Sequence, residues 1–175
     1  MSAWSGTPDD TSYSKNSGGR WNPRGEFGAL YLGASVEVAY ANGLKILAEM
    51  LAPAATPDDV DAPSIIEAQE FTIVESQSVD AVTDQGRAAL KLTRDSAKGT
   101  GYDRTQAIAR EAYANDENGI ACVSAVEANG EELAIFDSHA GALAKIKGNR
   151  VKFTALLAAS AEAKKRPASA KTRRP

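Results

Sequence analysis

The chain has 175 residues, 43 % of them hydrophobic and 25 % charged, the balance of one globular domain large enough to bury its own core. Its formal net charge of −3 is uneven, because from Ala161 to Pro175 six Lys/Arg stand against Glu162 alone. One cysteine and one histidine exclude an internal disulfide, a Cys-based zinc cluster and a His-rich metal site.

Residues 1–16 are polar, with Pro8 and the Asp9-Asp10 pair, and read as a loose lead-in. No basic and apolar leader opens the chain, and no run approaches the ~18 apolar residues of a membrane helix, so a cytoplasmic protein is expected. Gly18-Gly19-Arg20-Trp21-Asn22-Pro23 follows. The two glycines admit close backbone approach, and Arg20 brings a permanently charged fork of donors suited to a phosphate or pyrophosphate. The plainer reading is a glycine-rich turn with a surface arginine and a core tryptophan. Ala29–Gly33 reads as a buried strand carrying Tyr31, which suits either the core or the cover of a flat base.

The next stretch reads two ways. Asn42-Gly43 between alternating apolar residues favours a hairpin turn. Leu44, Leu47, Ala48 and Leu51 at three- and four-residue spacing favour a helix over Val36–Leu51, capped by Ser35. Pro53–Pro63 reads as a loop, Ser64–Val74 as a strand and Thr83–Leu92 as a short helix. Asp103 with Gln106 forms a capping-box pattern that opens a helix to Ala114. Gly119–Val126, Asn129-Gly130 and Glu132–Asp137 make the clearest hairpin, with Cys122 as a buried thiol. Ser124 and His139 lack a nucleophile-elbow sequence between them and do not suggest a catalytic pair. Val151–Leu157 is the last expected strand. The tail, 159–175, is rich in Ala, Pro and basic residues without apolar period, which predicts disorder. Strands and helices mix without strict alternation, so the fold class is α+β: a compact, partly antiparallel sheet with flanking helices, over 17–158.

The run GGRWNPRGEFGALYLGASVEVAYAN resembles the opening of the RES domain, a bacterial toxin family named for its Arg, Glu and Ser. A second block, Thr105–Arg110, Asn118-Gly119-Ile120, Ser124 and Leu133–Phe136, is similar to its distal half. The resemblance spans roughly residues 14 to 137 and favours the helix over Val36–Leu51. It also implies an opening strand, for which only Ala3-Trp4-Ser5 is available. The implied fold is ADP-ribosyltransferase-like, and the implied substrate is NAD, cut between nicotinamide and ribose without a metal. By that resemblance Arg20 holds the pyrophosphate, Tyr31 stacks on nicotinamide and Ser124 binds the ribose or orients a neighbour. The acceptor is water, phosphate or a protein, and a cognate antitoxin on another chain covers the site.

One position departs from the family. Its glutamate falls seven residues after Ser35, where this chain has Asn42. An amide keeps the shape of a carboxylic acid and can accept a hydrogen bond, but it carries no charge. Losing a positioned base or charge typically costs about 10²- to 10⁴-fold in rate. Glu49 lies about 10.5 Å farther along the helix at 1.5 Å per residue, while Glu26 and Glu127 have no place that sequence assigns. Three readings follow: an NAD-consuming toxin with Arg20, Asn42 and Ser124 as its catalytic set, an impaired relative that binds NAD without turnover, and an interaction module. The last would use the basic tail to dock on nucleic acid or an acidic partner.

Overall fold

The computed structural model describes residues 7–74, 77–97, 101–127 and 129–156. Ala3-Trp4-Ser5 and the basic tail lie outside them. A four-stranded sheet organises the chain, in the order β1 (Ala29–Gly33), β5 (Glu131–Phe136), β4 (Gly119–Val123) and β3 (Val79–Ala81). The β3–β4 pair is parallel and the others are antiparallel. A second sheet pairs β2 (Glu67–Ile73) with β6 (Ala144–Lys152), antiparallel, with a register shift between Ala68 and Glu70. This is the mixed, partly antiparallel α+β architecture expected.

Each face of the larger sheet has its own core. Ala29, Ile120, Cys122, Ala134 and Phe136 alternate onto one face, where Trp21, Phe27 and helix α5 (Asp103–Ala114) cover them. The helix contributes Thr105, Ile108, Ala109 and Ala112, a buried stripe at three- and four-residue spacing. Phe27 stacks on Tyr113 with centroids 4.2 Å apart and meets Phe136 edge-on at 5.3 Å, the offset and T-shaped geometries aromatic quadrupoles favour. Leu30, Ile135, Ala140 and Ala144 form the opposite core, with Phe71 packed against it.

Three further helices flank the sheet. Helix α1 (Ser12–Ser17) forms at the end of the segment expected as a loose lead-in and runs one residue past it, and its Ser14 Oγ accepts from Ala29 N at 2.8 Å. Helix α2 spans Val36–Leu51, with the Ser35 side chain accepting from Val38 N, so the helix and not the hairpin forms. Gly43 faces Ile66 so closely that a Cβ would stand 2.9 Å from Cγ2, which explains a glycine in mid-helix. Helix α4 (Asp84–Ala89) takes Thr83 as its cap.

Several boundaries differ from expectation. The loop after α2 holds a 3-10 turn at Pro57–Asp59 and helix α3 (Ala62–Ile65). Tyr102, not Asp103, occupies the N-cap of α5 without a side-chain cap bond. Asp103 stands inside the first turn, where its charge meets the positive end of the helix dipole. The last strand ends at Lys152, because Ala144–Lys152 pairs along β2 while only one of its residues is buried, and so shows no alternation in sequence. Strand β3 has three residues and helix α6 (Asp137–Leu143) begins directly after β5, leaving neither a period nor a boundary to read.

Candidate functional site

The loop from Gly18 to Phe27 is organised from within by Asn22, which has no solvent exposure. Its Nδ2 donates to Ser14 O at 2.7 Å and Phe27 O at 3.2 Å, and its Oδ1 accepts from Tyr31 Oη at 2.8 Å. Tyr31 Oη in turn accepts from Trp21 N at 2.9 Å. Gln106 Nε2 donates to Gly19 O at 2.8 Å, and the Trp21 indole donates to Cys122 Sγ at 3.1 Å. The backbone on both sides of Arg20 is therefore held by side chains from β1 and α5, and β4 holds the Trp21 indole.

Arg20 itself is buried, at 9 % exposure. Its Nε is fully enclosed and has no hydrogen-bond partner, and among the described residues no carboxylate forms an ion pair with it. A guanidinium removed from water without a counter-charge is costly, so this position is poised for an anion. The nearby groups register the charge. Burial pushes the Cys122 thiol up to about 11; the negative charge of Glu132 acts in the same sense, and the Trp21 donor and Arg20 oppose it. The Tyr31 hydroxyl is also raised, by burial first, with Arg20 again opposing. As a residue Tyr31 keeps 37 % of its surface exposed, while its hydroxyl is enclosed between Asn22 and Trp21 N.

A second polar group adjoins this one. Ser124 Oγ donates to Glu132 Oε1 at 2.6 Å and accepts from the backbone N–H of Val126 and Glu127, each at 3.2 Å. Asn42 Nδ2 donates to the same Oε1 at 3.0 Å, joining α2 to β5. Ser124 and Glu132 are both buried. Glu132 stands opposite Gly33 on one side and Cys122 on the other, so it shares the sheet face of Cys122 and Tyr31.

The structure thus brings Arg20 to Tyr31 and Cys122, and joins Asn42 and Ser124 through Glu132, which pairs with Cys122 on the same sheet face. It does not gather Glu26, Glu49 or Glu127 in the same way. Glu26 is bound by Arg110, whose Nε and Nη2 donate to it at 2.8 to 3.0 Å, and that pair holds its carboxyl below the usual range. Glu49 is exposed on α2. Glu127 lies in the turn, and its backbone rather than its carboxylate meets Ser124. Sequence reasoning missed Glu132. The signal was the alternation Glu132, Ala134, Phe136, which places a carboxylate on a face otherwise apolar. An open groove of about 530 Å³ lies between α2 and the following turn, lined by Tyr40, Leu44, Asp58 and Val60, and holds none of these residues. Among the described residues no three His, Cys, Asp or Glu are grouped to hold a metal, and no helix is long and apolar enough to cross a membrane.

The RES domain family model matches residues 1–155. The chain belongs to the RES domain family. The match extends beyond the two blocks readable in the sequence and takes in α1, α6 and β6. A solved structure agrees on the RES fold: a chain of the M. tuberculosis MbcT–MbcA toxin–antitoxin complex aligns at a TM-score of 0.66 and 20 % identity, covering 86 % of this chain and 80 % of that one. No curated protein matches the sequence.

Proposed function

We propose that this RES domain protein is the toxin of a toxin–antitoxin pair and consumes NAD by breaking the nicotinamide–ribose bond. The observation that carries this reading is Arg20, buried with an unpartnered Nε on the sheet face that also carries Tyr31 and a buried serine–carboxylate pair. An enclosed guanidinium attracts the pyrophosphate, the Tyr31 ring stacks on nicotinamide, and Ser124 addresses the ribose. The C1′–N bond breaks with its electron pair passing to the pyridine nitrogen, which neutralises that ring. The ribose carbon gathers positive charge and takes an oxygen from water, phosphate or a protein, whose proton passes to solvent. Holding three parts of one substrate at once is where such a site gains its rate. The protein would act in the cytoplasm, its antitoxin being a separate chain over this site.

A second reading, NAD binding without turnover, has the uncharged amide of Asn42 in its favour. Nicotinamide release from NAD, followed with and without phosphate beside NAD affinity, decides between the two. Release that disappears in Arg20→Ala supports the enzyme. Binding without release supports the impaired relative, and absence of both removes NAD from the account.

A further inference from the structure

We propose that Glu132 supplies the negative charge at the reacting ribose and that Asn42 is its positioning residue. The inference rests on the NAD reading above and names the group that makes turnover possible without a carboxylate at position 42. Three side chains converge here, a hydroxyl, an amide and a carboxylate, and only the carboxylate can offset a developing cation.

Glu132 is an expensive residue to place on β5. It retains 8 % exposure in a strand whose next same-face neighbour, Ala134, has none. A carboxylate removed from water is tolerated when its oxygens are satisfied, yet here both donors, Ser124 Oγ and Asn42 Nδ2, use Oε1. No donor among the described residues reaches Oε2. One oxygen is fixed and the other is left for a ligand, the arrangement a positioned charge requires.

The position of α2 makes this contact possible. Opposite Glu132, Gly33 lies so near the first turn of α2 that a Cβ would stand 2.8 Å from Ala39 N and 3.0 Å from Val38 Cγ1. The missing side chain lets α2 descend onto the sheet, and Asn42, one turn beyond Val38, then reaches Glu132. The amide can donate to the carboxylate, which an ionised carboxylate at position 42 cannot.

The test compares full-length natural protein with Glu132→Gln, whose amide oxygen still accepts from Ser124 and Asn42. NAD affinity, thermal midpoint and steady-state nicotinamide release are read for each. The expected result is NAD affinity within about threefold, an unchanged midpoint and release lowered about 10²- to 10⁴-fold in kcat. A purely structural Glu132 would move the midpoint or the affinity and spare kcat. Release within tenfold of the natural protein overturns the role of Glu132 while leaving the NAD reading intact. Natural protein that binds NAD without releasing nicotinamide overturns it as well, and natural protein that does neither removes the NAD reading together with it. Should Glu132→Gln not fold, Asn42→Ala keeps the charge but loosens it. Its kcat should then fall about tenfold at unchanged affinity, and an unchanged kcat is the overturning result.

Discussion

Gly19 lies so close to Tyr31 that a Cβ added to the glycine would stand 2.6 Å from the phenolic oxygen and 2.8 Å from Asn22 Oδ1. The hydroxyl cannot yield, because it is hydrogen-bonded on both sides, to Asn22 and to Trp21 N. Gly19→Ala therefore forces apart the contacts that hold Arg20, and should cost about 1 to 3 kcal/mol while weakening NAD binding. Gly141 in α6 has open space around its Cβ position and no unusual backbone, so Gly141→Ala should stabilise by about 0.5 to 1 kcal/mol. Paired denaturant titrations read both, and equal effects at the two glycines would contradict the packing around Tyr31.

Arg20 sets stability against binding. Its enclosed Nε has no partner, so replacing the guanidinium by an apolar chain of similar length removes an uncompensated buried charge. Arg20→Met should raise the stability of the ligand-free protein by about 1 to 3 kcal/mol. If NAD is the ligand, as proposed, it should raise the Tm of the natural protein and leave that of this variant unchanged. A variant that is destabilised and still responds to NAD would place the anion site elsewhere.

Restoring the family glutamate should harm this protein. Asn42 Nδ2 donates to Glu132 Oε1 at 3.0 Å, so Asn42→Glu brings two carboxylates together where both cannot stay ionised. Nicotinamide release and thermal midpoint should both fall. A gain in release would show instead that helix α2, not β5, must carry the charge.

The thiol of Cys122 makes stability depend on alkaline pH. Its ordinary value is 9.0 and burial pushes it to about 11, so the unfolded chain releases this proton first. The contribution, up to about 3 kcal/mol at 1.36 kcal/mol per unit, is complete below pH 9.0 and lost as pH rises to about 11. Tyr31, likewise raised by burial, adds a loss in the same direction. Urea midpoints from pH 8 upward should show the stability advantage of the natural protein over Cys122→Ala narrowing above pH 9. An advantage that stays constant would mean the thiol is open to water.

Much of the local structure was legible because its causes are local. Ser35 caps α2, Thr83 caps α4, and the apolar residues of Ala29–Gly33 and Gly119–Val123 make strands. Elements without such signals escaped. Strand β3 is too short for a period, and β6 is solvated along nearly its whole length. The Asp103–Gln106 pattern misplaced the cap of α5 by one residue because Tyr102 makes the turn without a side-chain bond.

The sequence by itself determined the family and the α+β character, since the GGRWN segment, the tyrosine strand and the Ser124 hairpin are each contiguous, and it named Arg20, Tyr31, Asn42 and Ser124 as candidates. Only the tertiary structure brought the Glu132 carboxylate to Asn42 and Ser124. Asn42 and Glu132 are 90 residues apart, and their contact depends on the register of β5 between β1 and β4 and on the depth to which Gly33 admits α2. A carboxylate's partners follow from which strands pair and how closely a helix packs on them, and neither is written in the residues beside it.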